Sequence, residues 1–554
     1  MEKNEAGQEE LSYHIFLFPF RWDYKAGDKE VENISFDKRT DTDDFSKVLT
    51  ELDHWERKPF NIDKTTNYNE FVYFYDFVRD ALYDSGKGND APLQLYQYKI
   101  SGEAKYLIHI EDEDKTCYEL EIDKILLHVY TTGVGILSYH LKNTNYKDRS
   151  DILKINEFGR RIYPQFLDEH SFTKATKGAF LADSIEVKFD EEKCFKEDFS
   201  YFDDIEKIRQ DPGKLPAFIT GLLSDRFVTK KSEASRGDIY IDPVVDDRMF
   251  VLCSFADDQL CTQLAKYDKS KGAYNYRSND EWYKFLFIDT ETPTCKSIPM
   301  KEELLEAHTY DRWIGKGKCI LYGFSRYSFV ILTTESSSFF AQHLKTVYLR
   351  MIILALVQRA SVLRFSREVT HISALKKNRD TTKRIRSLHE SYTHFANKIY
   401  FREVTAQEQG IDLYDRIVQV MKIERDVKDL NRQIDELHQY AALLEDKKNN
   451  RLLYILTLLG GLFVVPAFLI SFMGLNISAE NIKTAAPVKY GFMAGGIMLT
   501  AFLSLLWIFL RDRWNDDRIS PGKRIVLFTI PVLILLMVLF LVLCLDIIIP
   551  GVGP

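Results

Sequence analysis

Three apolar runs near one end of the chain limit its possible folds more than any other feature: Leu452 to Met473, Val488 to Leu510 and Ile525 to Ile549. Each is about 20 residues or longer, enough at ~1.5 Å per helical residue to cross a hydrocarbon core of ~30 Å. Helices of soluble proteins seldom stay apolar on every face for so long. The runs predict three membrane spans, at about 452–476, 488–510 and 525–549. Lys489 edges the second, and Pro531 and Asp546 interrupt the third. Proline is tolerated in a membrane helix, and Asp546 lies near an end, within reach of the interface.

Basic residues near the ends orient the spans. Lys447, Lys448 and Arg451 precede the first, and Arg511, Arg513, Arg518, Lys523 and Arg524 separate the second from the third. The loop between the first two holds only Glu480, Lys483 and Lys489. The basic sides are therefore expected in the cytoplasm, with the Ile477–Pro487 loop outside. The mean hydropathy of -0.24 hides this segregation, because it averages a charged part before Lys447 with an apolar part after Leu452.

The remaining composition excludes several classes. A net charge of -8, from 82 acidic and 74 basic residues, gives no basic excess for a general nucleic-acid binder. Seven cysteines are scattered without CxxC or zinc spacing, as small buried residues in a reducing compartment are. The acidic start MEKNEAGQEELS lacks the basic and apolar regions of a signal peptide, so the large N-terminal part is expected in the cytoplasm. No P-loop, HExxH or GxSxG is present, and no catalytic residue is assigned.

From Ser336, with Ser336 to Ser338 available as a cap, the chain reads as helical. Phe340, Leu344, Val347, Met351, Leu354 and Val357 recur at spacings of three and four. Lys345, Arg350 and Arg359 break the run, which makes it a packed helix and not a span. Ile411 to Lys448 is more regular. Heptad positions a are Leu413, Val420, Val427, Ile434 and Ala441, and positions d are Arg416, Ile423, Leu430, Leu437 and Leu444. Nine of these ten are apolar, which predicts a coiled coil. No proline or glycine separates it from the first span, so one helix is expected from cytoplasm into bilayer. An intramolecular helical hairpin fits the coil equally well.

Before Ser336, strand signals dominate: Tyr13–Phe20, Lys105–Ile110, Ile125–Tyr130, Val134–Leu141, Ile185–Phe189, Met249–Phe255, Trp282–Ile288, Ile320–Phe324 and Tyr327–Thr333. Helical stretches such as Asn67–Tyr83 and Lys154–Tyr163 lie between them, an α+β pattern. The hairpins Ile125–Leu141 and Cys319–Thr333, each followed by a helix, read as a duplicated unit. Asp84–Pro92 and Asp211–Pro216 are loops, and the second marks a boundary between two lobes near 211–217. Gly133-Val134-Gly135 reads as a turn and not a phosphate cradle. The acidic run Glu111–Asp114 reads as a solvated turn, with a regulatory cation site as the alternative. His389 and His394 are five apart, the wrong spacing for one helix face. Lys376, Lys377, Arg379, Lys383, Arg384 and Arg386 crowd eleven residues. That patch suits a phosphorylated ligand, anionic lipid heads or a solvated helix face. Arg160 and Arg161 form a smaller anion-binding candidate.

At the end of the first span stands Gly474-Leu475-Asn476, followed by a short loop, a second span and a basic segment. This arrangement, over roughly Ile411 to Asp512, resembles the CorA superfamily of divalent-cation transporters, whose span ends in Tyr-Gly-Met-Asn. Gly474 and Asn476 match that motif, while Met473 replaces Tyr and Leu475 replaces Met. The resemblance implies a homo-oligomer, a pentamer, around a pore lined by the first span. It implies a ring of Asn476 amides at the outer mouth, touching a hydrated Mg²⁺ or similar ion. Mg²⁺ gives up its first-shell water reluctantly, so amide oxygens would replace second-shell water. Asn476 as an interfacial cap with Gly474 as a helix C-terminus is the plain alternative. Ile455, Leu458, Leu462, Val465, Leu469 and Met473 fall on the Asn476 face, and an apolar ring closes a pore by dewetting. The same stripe suits ordinary helix packing.

The third apolar run and the large soluble part are similar to the CorA-like membrane proteins encoded beside type III CRISPR systems, as are the Lys124–Leu141 hairpin and Ile155-Asn156-Glu157-Phe158-Gly159-Arg160-Arg161. That resemblance implies an antiviral effector opened by an adenylate-type second messenger, such as a cyclic oligoadenylate or an S-adenosylmethionine–AMP conjugate. The expectation is an α+β cytoplasmic sensor domain (1–335), a helical, coiled-coil stalk (336–451) and a three-span transmembrane region (452–554). The protein would sit in the plasma (inner) membrane among lipid, copies of itself, divalent cations and a nucleotide, without nucleic acid. A membrane-anchored scaffold without a pore and a constitutive magnesium transporter are the competing readings.

Overall fold

A computed structural model describes residues 10–25, 42–50, 54–86, 91–111, 116–169, 172–174, 176–189, 193–230, 232–245, 247–315, 318–374 and 379–474. The chain divides into two units, Met1–Gln439 and Tyr440–Pro554.

The first unit is built on strands β1 (Ser12–Tyr24), β2 (Trp55–Arg57), β3 (Leu93–Tyr98), β4 (Ala104–His109), β5 (Cys117–Tyr130), β6 (Val134–Asn143), β7 (Ser184–Phe189), β8 (Lys193–Glu197), β9 (Phe227–Val228), β10 (Ile239–Pro243), β11 (Phe250–Ala256), β12 (Tyr267–Asp268), β13 (Ala273–Tyr274), β14 (Thr309–Gly315), β15 (Lys318–Phe324) and β16 (Ser328–Thr333). Among the described residues, fourteen join one sheet along the path β14-β15-β16-β11-β1-β6-β5-β4-β7-β8, with β2–β3 and β9–β10 attached beside it. Most neighbours run antiparallel, whereas β11 and β16 run parallel. The α+β class expected from the strand and helix signals is observed.

Strand β1 is the centre because both of its faces are buried. A strand alternates its side chains between faces. Phe16, Phe18, Phe20 and Trp22 enter the main core with Leu127, Leu137 and Tyr139. Tyr13, Ile15, Leu17 and Arg21 occupy the other face. Gly135 lies opposite Phe20 because the Phe20 ring fills the place of a Cβ there.

Several sequence readings are corrected. Trp282–Ile288 is not a strand but part of a helix, Asp280–Phe287. Asn279 caps it by accepting from the Trp282 amide at 2.9 Å, and Trp282, Phe285 and Leu286 are buried at i, i+3 and i+4. Asn67–Tyr83 is two helices, α1 (Thr65–Val72) and α2 (Asp76–Leu82). The chain on both sides of 211–217 contributes strands to one sheet, so no lobe boundary falls there. The two hairpins exist and each precedes a helix, but β6 meets its inner neighbour antiparallel and β16 meets its own parallel. The helix expected from Ser336 begins as 3₁₀ turns over Glu335–Lys345 and becomes α-helical only from Val347.

The helices that matter below are α3 (Arg149–Gly159), α4 (Val347–Ala374), α5 (Arg379–Lys398), α6 (Glu408–Val420) and α7 (Ile423–Gly474). Helix α4 is buried on nearly all sides over Val347–Val362 and packs against β1, β6, α2, α5 and α6. The single coiled-coil helix over Ile411–Lys448 is broken at Met421–Lys422. The Met421 amide closes α6 on the Ile417 carbonyl at 3.0 Å, and Lys422 adopts φ 57°. The apolar heptad continues in phase through the break, and no glycine or proline marks it. Its stripe is covered within one chain. Val427, Leu430 and Ile434 are buried, and the rings of His389 on α5 and His438 on α7 stack at 4.2 Å.

Two outcomes are expected. Lys422→Gly should raise stability to urea by about 1 kcal/mol, since a left-handed non-glycine residue costs ~1–2 kcal/mol; destabilisation would mean a continuous helix. Burial lowers His14 to about 4 and, with Arg350 nearby, His128 to about 3, and His140 is also lowered, by burial and then Lys124. Their folded values lie below the ordinary 6.5. The stability they contribute is thus complete above about pH 6.5 and is lost as pH falls toward the folded values. Unfolding free energies from urea titrations should fall below about pH 6.5, with a slope approaching roughly 1.4 kcal/mol per pH unit for each group toward pH 5.

Candidate functional site

The residues read as a pore stand at the end of α7. This helix ends at Gly474. Leu475, Asn476 and the second and third expected spans lie outside the described residues, as do the side chains of Leu458, Leu462, Val465, Leu469 and Met473. Among the described residues, no helix is long and apolar enough to cross a membrane. The turn that enters the first apolar run is described. Leu452, Leu453, Tyr454, Ile455 and Leu456 follow one another there, all exposed. The side chains in this turn are largely apolar, with the Tyr454 hydroxyl among them.

The basic patch resolves only in part. Lys376 and Lys377 lie outside the described residues, as does the Arg379 side chain. On α5, Ile385, Leu388, Tyr392, Phe395 and Ile399 form the buried face, and Phe365 of α4 meets Tyr392 and Phe395 at 5.9 and 5.7 Å. Lys383 and Arg386 are exposed and Arg384 half-buried.

Arg160 and Arg161 are not an open anion site. They are only 2% and 3% exposed, and they belong to a row of alternating charges. Glu157 accepts from Arg160 at 3.1 Å and from Arg161 at 2.5 Å. Asp247 accepts from Arg161 at 2.7 Å and from Arg248 at 2.8 Å. Arg248 then lies over the Tyr327 ring at 5.2 Å, and Arg359 of α4 lies over the same ring at 5.3 Å. Burial lowers Arg160 to about 10. The sequence showed adjacent arginines but not their buried carboxylate partners, one of which is 86 residues away.

Gly133 sits in the turn between β5 and β6 at φ 72°. The Arg364 guanidinium of α4 occupies the space a Cβ would need and donates to the Thr132 carbonyl. The turn reading of Gly133-Val134-Gly135 is therefore the observed one. Residues 112–114 of the acidic run lie outside the described residues. Among the described residues, no group of three or more His, Cys, Asp or Glu is placed to hold a metal ion.

One arrangement was not foreseen. The ladder between β5 and β6 shifts register between Ile122 and Lys124, a bulge that carries Asp123. Asp123 accepts from the Tyr13 hydroxyl at 2.9 Å and pairs with Lys142 at 2.9 Å. Burial would raise the Asp123 carboxyl, but Lys142 and Tyr13 hold it below the usual range. A cavity of about 460 Å³ opens beside the bulge, lined by residues that include Glu56, Lys58, Gln97, Lys99, Glu121 and Asp123. Bulges carry no dependable sequence mark, since the alternation is interrupted by one residue only.

Residues 348–512 match the family described as CorA-like Mg²⁺ transporter protein. Comparison with curated proteins and with solved structures gave no match. The matched segment begins one residue into α4 and continues past the end of α7.

Glu157 is the test of the buried charge row. Glu157→Gln should lower unfolding stability by roughly 3–5 kcal/mol, because it leaves buried guanidinium charge without its partner. Denaturant titration reads this directly, and a loss under about 1 kcal/mol would show that the pairs do not hold α3 in place.

Proposed function

We propose that this protein is a multi-pass membrane channel or transporter for divalent cations, Mg²⁺ foremost, with no catalytic step of its own. Copies of the chain surround a pore formed by the first span, and the large N-terminal domain faces the cytoplasm as a ligand sensor. The family match over 348–512 carries this reading. It is supported by α7, which stays helical to Gly474 in the Gly474-Leu475-Asn476 motif, and by the exposed apolar turn Leu452–Leu456. In this mechanism Asn476 amides meet the hydrated ion, and Ile455, Leu458, Leu462, Val465, Leu469 and Met473 form the apolar gate. A sensor ligand shifts the gate only to the extent that it binds the open and closed states differently. An adenylate-type second messenger and a role in type III CRISPR defence belong to this proposal through the resemblance to CRISPR-associated CorA-like proteins.

Purified protein in liposomes loaded with a Mg²⁺ indicator should conduct when the gating ligand is present, and Asn476→Ala should lower the flux about tenfold or abolish ion discrimination. Cyclic oligoadenylates and an S-adenosylmethionine–AMP conjugate are the ligands to apply. Absence of flux with all of them, together with full function after the spans are exchanged for an unrelated anchor, would instead support the scaffold reading.

A further inference from the structure

We propose that the cavity at the β5 bulge binds a small zwitterion of the amino-acid class, carrying an ammonium and a carboxylate or phosphate. Its volume, about 460 Å³, falls in the range of small-molecule sites, ~300–1,000 Å³. Its wall carries both signs of charge. Glu56, Glu121 and Asp123 supply carboxylates, and Lys58 and Lys99 supply amines. The carboxylates are already balanced locally. Lys58 pairs with Glu56 at 3.0 Å, and Lys142 pairs with both Glu121 and Asp123 at 2.9 Å. A ligand of a single charge would meet like charge on one side of this wall. A dipolar ligand places its ammonium at Asp123 and Glu121 and its anionic group at Lys99 and Lys58, so each end finds its complement.

The site also has a route into the rest of the domain. Tyr13, which is not among the cavity's lining residues, donates to Asp123, and burial followed by Asp123 pushes the Tyr13 hydroxyl well up, so it stays a donor. Lys345 lies over the Tyr13 ring at 3.9 Å and pairs with Glu10 at 2.8 Å. Lys345 stands two residues before α4, where the family-matched segment begins. An ammonium at Asp123 competes with Tyr13 for the carboxylate, and the Tyr13–Lys345 contact carries that change to the start of α4. This last step rests on the ligand-gated reading above; binding itself does not.

The test is calorimetric titration of the full chain in detergent with four probes: L-glutamine and O-phosphoethanolamine as zwitterions, acetate and n-butylamine as single charges. A zwitterion should bind at least about tenfold more tightly than either single charge. Asp123→Asn and Lys99→Ala should each weaken that binding about tenfold or more. Should Asp123→Asn fail to fold, Lys99→Ala and Glu121→Gln decide, since both side chains lie at the exposed rim. No heat with any probe, butylamine binding as tightly as glutamine, or unchanged affinity in Lys99→Ala would each overturn the proposal. The readout involves no ion flux, so a protein that binds zwitterions but conducts nothing refutes the channel alone. One that conducts but ignores the probes refutes only this site.

Discussion

The burial of α4 is the constraint on which the rest of the first unit depends. Over its first sixteen residues, Val347–Val362, the helix Val347–Ala374 has hardly any solvent face and must be enclosed on every side. The sheet covers one side through β1 and β6, and α2, α5 and α6 cover others. Each polar group along it then needs a partner, because an unpaired buried donor costs about 1–3 kcal/mol and a charge more. Arg350 pairs with Glu70 at 3.0 Å. Gln358 donates to the Ile399 carbonyl at 3.0 Å, and Ser361 donates to Thr132 at 3.0 Å. Arg364 reaches the β5–β6 turn. These four contacts fix the helix against three parts of the chain, since Ser361 and Arg364 both reach Thr132.

The same logic explains the polar layer of the sheet. The face of β5 and β6 toward α4 carries Lys124, His128 and His140 among apolar neighbours. Their histidines are held neutral by burial. The opposite face holds His14 against Asn156 at 2.7 Å, inside the main core. A sheet buried on both faces has little room for charge, so its charged residues collect at interruptions. The β5 bulge is one, with Asp123, Tyr13 and Lys142 around it. The Glu157–Arg161–Asp247 row at the C-terminal end of α3 is a second cluster of charge, outside the strands. One opens onto a cavity and the other is closed, which gives them different prospects as sites despite similar composition.

The family match covers the helical part and not the sheet. The matched segment spans the helices from α4 onward, and the strands of the sheet lie before it in the chain. A ligand site within the sheet would lie outside the matched segment. Lys345 and the 3₁₀ turns of Glu335–Lys345 are the covalent connection between them.

The three apolar runs, their flanking basic residues and Gly474-Leu475-Asn476 are features of composition and local order, so the sequence alone displays them, and the spans and pore they suggest belong to the proposal. The α+β class was legible too, since periods of two and of three to four residues survive in any context. The strand misread at Trp282–Ile288 shows the limit. There an Asn279 cap and burial at i, i+3 and i+4 outweighed an aromatic run of strand-like composition. The break at Lys422 had no sequence mark, since the apolar phase carries through it and only packing within the chain required it. Arg161 looked free because its partner Asp247 is 86 residues away and becomes a neighbour only in the folded chain, whereas Arg160 pairs with Glu157 three residues before it. Asp123, Tyr13 and Lys142 came together for the same reason: strand register is set by which face is buried, and that is decided by the whole sheet at once.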